Sequence, residues 1–433
     1  MNYYSTNRQS PEVSIEEAVL QGLAPDGGLY MPNEIRDLPK DFLDGMATMS
    51  FCHIAQGVAE SFFGGDVASD NMKQIVKETL SFDIPLVQVS DNKWSLELFH
   101  GPTAAFKDVG ARFMARMLSL FIEQKRCSKN VTVLVATSGD TGSAVANGFL
   151  DVEGILVVVL YPKGKVSDFQ EKQFTTLGKN IRAVAIDGTF DDCQRLVKEA
   201  FLDGDLNKKL TLTSANSINV ARFMPQVFYY FWGVAQLLRA GVTEQIVVSV
   251  PSGNLGNLTA GLFAKKMGLC TRFIAANNSN DFFMNYLRTG QRVPRISVQT
   301  IANAMDVGDP GNFARILDLY GSSWEGVKRD VVGFGYSDKE IMAGMKRVYS
   351  QTGYMLDPHG ACGYLALEDG LQPGETGIFL ETAAPAKFMD TVEEAIGVPV
   401  PLPNQLTHFL IGIKQSVDLP KDFLSFKNYL RSL

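Results

Sequence analysis

The sequence predicts a parallel α/β protein, and three observations carry that prediction. Short β-rich runs recur along the chain, each followed by a stretch of helical length. Two of the runs lead straight into polar, glycine-bearing loops, the position at which parallel sheets gather ligands. The chain also carries 39 glycines, many for a helix bundle but ordinary where strands feed tight loops around a ligand.

Taken in order, residues from about 12 to 90 place apolar side chains at three- and four-residue spacing, as in 14–22 and 71–80, and read as an N-terminal helical region. Residues 94–99 alternate polar and apolar in strand fashion, then turn at His100-Gly101-Pro102-Thr103 into a long amphipathic helix over about 107–124. Buried strands follow at 131–136, 156–161, 181–186, 246–250 and 272–276, alternating with helices. A last apolar run, 377–380, ends in Glu381-Thr382-Ala383 and sets one more polar loop at the end of a strand. The expected division is 1–90 for the helical region and 91–433 for large and small α/β parts, the small one over roughly 110–225.

Composition excludes several function classes. The chain has 433 residues, 45% of them apolar, enough for a sizeable core and two or three domains. Forty basic against 47 acidic side chains leave a formal charge of −7 and no basic tract, so nucleic acid is not an expected partner. Apolar runs such as 154–160 are far shorter than the roughly 18–20 residues that span a bilayer. No signal-peptide pattern opens the chain, so a cytoplasmic location is the expectation. Cys52, Cys127, Cys193, Cys270 and Cys362 are scattered and never form C-x-x-C, which predicts free thiols rather than disulfides or zinc.

Three segments carry chemistry. The loop 137–142, Thr-Ser-Gly-Asp-Thr-Gly, lies between a strand and a helix expected to begin near Ser143, and its hydroxyls and free amides suit a carboxylate or phosphate. A capped turn, with Ser138 or Thr141 as the cap, is the plainer alternative. The loop 251–257, Pro-Ser-Gly-Asn-Leu-Gly-Asn, has two glycines three apart whose amides can curl around a phosphate, yet it matches neither nucleotide-binding motif. It is otherwise a turn with asparagines in left-handed geometry. Lys107 follows small and apolar residues near a helix start. Most lysines are solvated surface groups, but one held in apolar surroundings can form a Schiff base with an aldehyde cofactor.

Together with 22–32, Phe106-Lys107-Asp108 and 214–219, these segments resemble the threonine synthases, of the tryptophan synthase β-like family, in order and spacing over essentially the whole chain. The N-terminal region resembles the longer bacterial and fungal branch. The resemblance implies a fold type II pyridoxal-phosphate enzyme, with parallel sheets flanked by helices in a large and a small domain. It implies that Lys107 carries pyridoxal 5′-phosphate and that Gly253, Asn254, Leu255, Gly256 and Asn257 form the cup for its phosphate. Thr382 matches the hydroxyl residue that meets the pyridine nitrogen. Many relatives carry asparagine where this chain has Asp140, which is expected near the cofactor's 3-hydroxyl.

For the substrate, the resemblance implies that Ser138 and Thr141 hold the carboxylate. Asn216, Ser217 and Arg222, in an N-S-x-N-x-x-R pattern, would hold a phosphate, which suits arginine's fork of donors. The implied reaction converts O-phospho-L-homoserine and water into L-threonine and phosphate. A lyase giving 2-oxobutyrate, ammonia and phosphate from the same substrate is the nearest rival. A dehydratase of the same fold and a non-catalytic binding protein are further ones. Oligomeric state is not legible.

Overall fold

In a computed structural model the structure describes residues 1–125 and 131–433. The expectation for Cys127 lies outside them, whereas Cys52, Cys193, Cys270 and Cys362 are free thiols. Packing divides the chain into two compact units. One comprises Met31–Phe106 and Phe223–Leu402 together with Met1; the other comprises Asn2–Tyr30, Lys107–Arg222 and Pro403–Leu433.

The first unit is built on a six-stranded sheet in the order Val331–Gly335, Thr271–Asn277, Gln245–Pro251, Glu375–Glu381, Lys93–Glu97, Leu86–Ser90. All neighbours run parallel except the last pair, which is antiparallel with a register shift between Gln88 and Ser90. Gln245–Pro251 is buried at every position but its first, as a strand covered on both faces must be, and its near-continuous apolar run follows from that. Helix Pro358–Gly370 lies against the sheet; Ala361, Cys362, Leu367 and Phe379 share its core with Ile274 and Met345. That helix starts at Asp357, whose side chain accepts from the His359 and Gly360 amides, with Pro358 at the first helical position.

The second unit has a five-stranded, all-parallel sheet in the order Val417–Pro420, Ile181–Asp187, Ile155–Pro162, Val131–Ala136, Thr211–Ser214. Its core joins Leu134, Val158 and Val184 to Cys193 and Leu196 of helix Phe190–Leu202, and to Phe426 and Leu430 of the final helix. Helix Ile15–Gln21 opens on a reciprocal cap, Ser14 with Glu17, and its Val19 carbonyl accepts from Thr213 and Asn219.

The six expected buried strands occur, Val131–Ala136 with the expected bounds and the others extended by one to three residues. Thr211–Ser214, Val331–Gly335 and Val417–Pro420 carry no strong pattern: three of the first one's four residues carry hydroxyls, and the last is a mostly exposed edge. The helix expected near Ser143 begins at Asp140. Neither Ser138 nor Thr141 caps it; Gly139 is the N-cap residue, and the Thr137 hydroxyl accepts from the Gly139 and Gly142 amides at 2.9 and 2.7 Å. The N-terminal helices are Ile15–Gln21, Lys40–Gly45, Phe51–Phe63 and Ser69–Thr79, accompanied by short strands at Tyr3–Ser5 and Tyr30–Pro32. Among the described residues no helix is long and apolar enough to cross a membrane, and no cluster of His, Cys, Asp and Glu could hold a metal ion.

Candidate active site

The residues singled out above fall in both units, and each group is built within its own unit. In the first unit, three adjacent parallel strands, Gln245–Pro251, Glu375–Glu381 and Lys93–Glu97, end at one sheet edge. From that edge leave the loop 252–257, Thr382, and the segment that runs to Lys107. Parallel register alone brings together three stretches more than a hundred residues apart.

The loop 252–257 is held from all sides by its own polar groups. Ser252 N donates to Ala276 O at 2.8 Å, and Asn277 Nδ2 to Ser252 O at 3.0 Å. Asn257 Nδ2 donates to Pro251 O at 2.7 Å, while its Oδ1 accepts from Leu258 N at 2.9 Å. Asn254 turns outward, its Oδ1 accepting from Gly311 N at 2.6 Å and its carbonyl from Asn312 Nδ2 at 3.0 Å. The left-handed residue is Leu255, at φ 61°, and not an asparagine. A side chain with a Cβ pays about 1–2 kcal/mol for that conformation. The strain sits where the chain curls into helix Gly256–Lys266, ahead of the first helical bond, Thr259 N to Leu255 O. The amides of Leu255, Gly256 and Asn257 therefore precede the helical ladder, at the positive end of the helix dipole. At Gly253 a Cβ would stand 2.7 Å from Ala304 O and 2.8 Å from Met305 Cα, so only glycine fits beneath that segment. A strained turn of amides at a helix start is a donor set that fits a phosphate dianion.

Thr382 is buried, 6% exposed, and its carbonyl accepts from Phe106 N at 2.9 Å. Ala105 pairs with Ala383 in an isolated bridge, and the buried Lys387 donates from Nζ to Thr103 O at 2.9 Å. The peptide entering Lys107 is thus fastened to the Thr382 loop. Lys107 itself is half-buried and is the first residue of helix Lys107–Lys125.

In the second unit, Val131–Ala136 and Thr211–Ser214 are parallel neighbours, so the loops 137–142 and 215–222 leave the same edge. Ser138 and Thr141 are half-buried there, and Asp140 is 4% exposed with its Oδ1 accepting from Gln170 Nε2 at 2.9 Å. Gly139 has φ 142°, and a Cβ on it would meet the Gln170 side chain at 2.5 Å, so the backbone must be glycine here. Asn216 binds the Ala136 main chain through both ends of its amide, accepting from N at 3.3 Å and donating to O at 2.9 Å. It splices the two loops together. Asn219, fully buried, donates to Val19 O and Ser214 O and accepts from Ala221 N, a scaffolding role. Ser217 is half-buried on the same loop.

Arg222 is 3% exposed, with Nε on Ala215 O at 2.8 Å and Nη1 on Lys107 O at 3.0 Å. Burial pushes its guanidinium down to about 10, against the upward pull of Asp108, so it stays a cation at neutral pH. Sequence reasoning missed the supports: Gln170, Asn312 and His359 act through partners 30 to 58 residues away in the chain, for which the sequence holds no local signal. Only Asp357-Pro358, a helix-start pair, was legible.

Family models match over most of the chain: pyridoxal-phosphate dependent enzyme at 93–380, threonine synthase N terminus at 2–80, and threonine synthase C-terminal at 360–429. A threonine synthase of Haemophilus influenzae is 44% identical over 432 residues, covering 99% of each chain. The crystal structure of threonine synthase from Escherichia coli superposes with a TM-score of 0.94 at 42% identity, covering 100% of both chains. That of threonine synthase from Brucella melitensis with pyridoxal phosphate bound has a TM-score of 0.93 at 34% identity, over 100% of this chain and 99% of that one.

Proposed function

Since the chain belongs to the threonine synthase family, whose activity depends on pyridoxal phosphate, we propose the following division of labour among its residues. Lys107 binds the cofactor covalently, and the amides of Gly253, Asn254, Leu255, Gly256 and Asn257 hold its phosphate. Thr382 offers a hydroxyl to the ring nitrogen, and Asp140 lies near the ring's 3-hydroxyl. When bound, the cofactor supplies an electron sink for carbanions at the substrate's carbons. The observation that carries this reading is the strained turn at Leu255, which leaves the amides of Leu255, Gly256 and Asn257 ahead of the helical ladder at a helix start.

The substrate is O-phospho-L-homoserine, and the products are L-threonine and phosphate. Ser138 and Thr141 hold its carboxylate with hydroxyls beside a helix N-terminus. Asn216, Ser217 and Arg222 hold its phosphate, where a buried cation favours the dianion and steadies it as it leaves from Cγ. Lys107 Nζ, one residue beyond the Phe106–Thr382 bond, takes the Cα proton as general base. Water then adds at Cβ, and the departed phosphate, retained by Arg222, assists that addition. Domain 1–90 and an α/β region with a small part near 110–225 remain our reading of the organisation, and the cytoplasm our reading of the location.

Incubating the purified, cofactor-loaded protein with O-phospho-L-homoserine, and quantifying phosphate, threonine and 2-oxobutyrate together, tests the reading. Equal phosphate and threonine sustain it. Phosphate with 2-oxobutyrate makes the protein a phospho-lyase, and no phosphate release overturns the substrate assignment.

A further inference from the structure

Immediately before Thr382, the first unit buries a polar cluster that the reaction above does not use. Glu381 and Asp357 are each 0% exposed and His359 is 1% exposed. Asp357 N donates to Glu381 Oε1 at 2.6 Å. Glu381 Oε2 is buried without a hydrogen-bond partner. The Asp357 carboxylate already accepts from His359 N at 2.8 Å, Gly360 N at 3.3 Å and His359 Nδ1 at 2.5 Å. The groups facing the pair add no compensating cation. Glu97 lies opposite Glu381 in strand register, accepting from Tyr354 OH and joined to His100 Nε2. Among the described residues, neither Glu381 nor Asp357 pairs with a lysine or arginine. Burial with no lysine or arginine partner, and then the charge of Asp357, hold the Glu381 carboxyl well above its ordinary value, so Glu381 keeps its proton.

The far end of the cluster reaches the phosphate loop. With Nδ1–H directed at Asp357, His359 Nε2 accepts from Ala304 N at 3.1 Å. The Phe388 ring stands edge-on to the imidazole at 5.0 Å and fixes its plane. Ala304 O is the atom 2.7 Å from where a Cβ on Gly253 would be, so the segment His359 holds is the one that closes over the first glycine of the loop.

We propose that Glu381, Asp357 and His359 form a buried relay of hydrogen bonds that positions the phosphate loop, Glu381 holding a proton and His359 acting on Gly253 through the Ala304 amide. The proposal rests on reading Gly253–Asn257 as the cofactor-phosphate cup. His359 is a positioning residue: its Nε2 is free to accept from the Ala304 amide while Nδ1 carries the ring proton towards Asp357.

The test uses the full-length holoenzyme, read by the phosphorus-31 resonance of the bound cofactor and by the rate of cofactor loss on dilution. His359→Asn and Ala304→Pro remove opposite ends of the same hydrogen bond; proline fits the first turn of the 3-10 helix Asn303–Met305, so the second variant deletes little else. Both are expected to move the phosphorus resonance and to speed cofactor loss about tenfold, the equivalent of one hydrogen bond of about 1.4 kcal/mol. Glu381→Gln, a neutral isostere of the acid, is expected to leave the resonance where it is. Infrared spectra should show a protonated carboxyl stretch in the parent that Glu381→Gln lacks. Gly253→Ala serves as the control for the cup. If it moves the resonance while His359→Asn and Ala304→Pro do not, the relay is overturned and the cup stands. If none of the three moves it, both fall. Absence of the protonated carboxyl stretch overturns the relay as well.

Discussion

Arg222 donates from Nη1 to the carbonyl oxygen of Lys107 at 3.0 Å, binding the last residue of one unit's central segment to its first. Close packing reinforces the bond: a Cβ on Gly110, one turn along the Lys107 helix, would stand 2.3 Å from Arg222 O. The arginine that the sequence assigns to a substrate phosphate is therefore also a clamp on the backbone of the cofactor lysine. Two of its five N–H groups serve that clamp through Ala215 and Lys107.

Arg222→Gln leaves both carbonyls buried without their donors, at about 1–3 kcal/mol each. We expect a loss of about 2–4 kcal/mol in urea unfolding of the holoenzyme. Arg222→Lys keeps the charge but cannot donate in both directions, and is expected to raise KM for O-phospho-L-homoserine about tenfold with a smaller fall in kcat. An Arg222→Gln protein as stable as the parent would remove the clamp from the account.

Lys107→Ala is expected to lose the visible absorption band of the lysine-bound cofactor and nearly all turnover. The peptide bonds around it should hold, because the Phe106–Thr382 bond and the Arg222–Lys107 bond use main-chain atoms. A melting temperature close to the parent's, measured without cofactor in both, checks the second half. A variant that still turns over would refute the assignment of the lysine.

Gly360 and Glu381 are matched in size. A Cβ on Gly360 would lie 1.7 Å from Glu381 Oε2 and 2.4 Å from its Cδ, so the buried carboxyl would have to move. Gly360→Ala should cost about 1–3 kcal/mol from overpacking. In a Glu381→Ala background the same change meets a void, so the double-mutant cycle should show a favourable coupling of about 1 kcal/mol or more. Strict additivity would mean that Glu381 can leave its place.

Burial, and then the charge of Asp357, push the Glu381 carboxyl well above the ordinary glutamic acid value of 4.5. Below that value the proton is bound in both folded and unfolded chains, and Glu381 contributes nothing to the pH dependence. Above it only the folded chain keeps the proton, so stability falls by about 1.4 kcal/mol per pH unit until the folded-state value is passed. Glutamine has no such dependence. The melting temperature of Glu381→Gln relative to the parent should therefore climb as pH rises from 4.5 towards neutrality. A difference that stays flat across that window would show Glu381 titrating alike in both states.

The sequence by itself determined the alternation of strand and helix, because burial on both faces writes a continuous apolar run at Val131–Ala136 or Gln245–Pro251. It also singled out Lys107 and the loops 137–142 and 252–257, since glycines and hydroxyls after a buried strand are a local signature. Tertiary structure alone decided which of those loops share an edge, that Leu255 rather than an asparagine turns left-handed, and that Gly139 is the N-cap while the Thr137 hydroxyl, not Ser138 or Thr141, takes the Gly142 amide. Only the fold, too, could join Arg222 to the Lys107 carbonyl and His359 to the Ala304 amide. Hydrogen bonds between groups 115 and 55 residues apart obey distance and direction, and a one-dimensional pattern records neither.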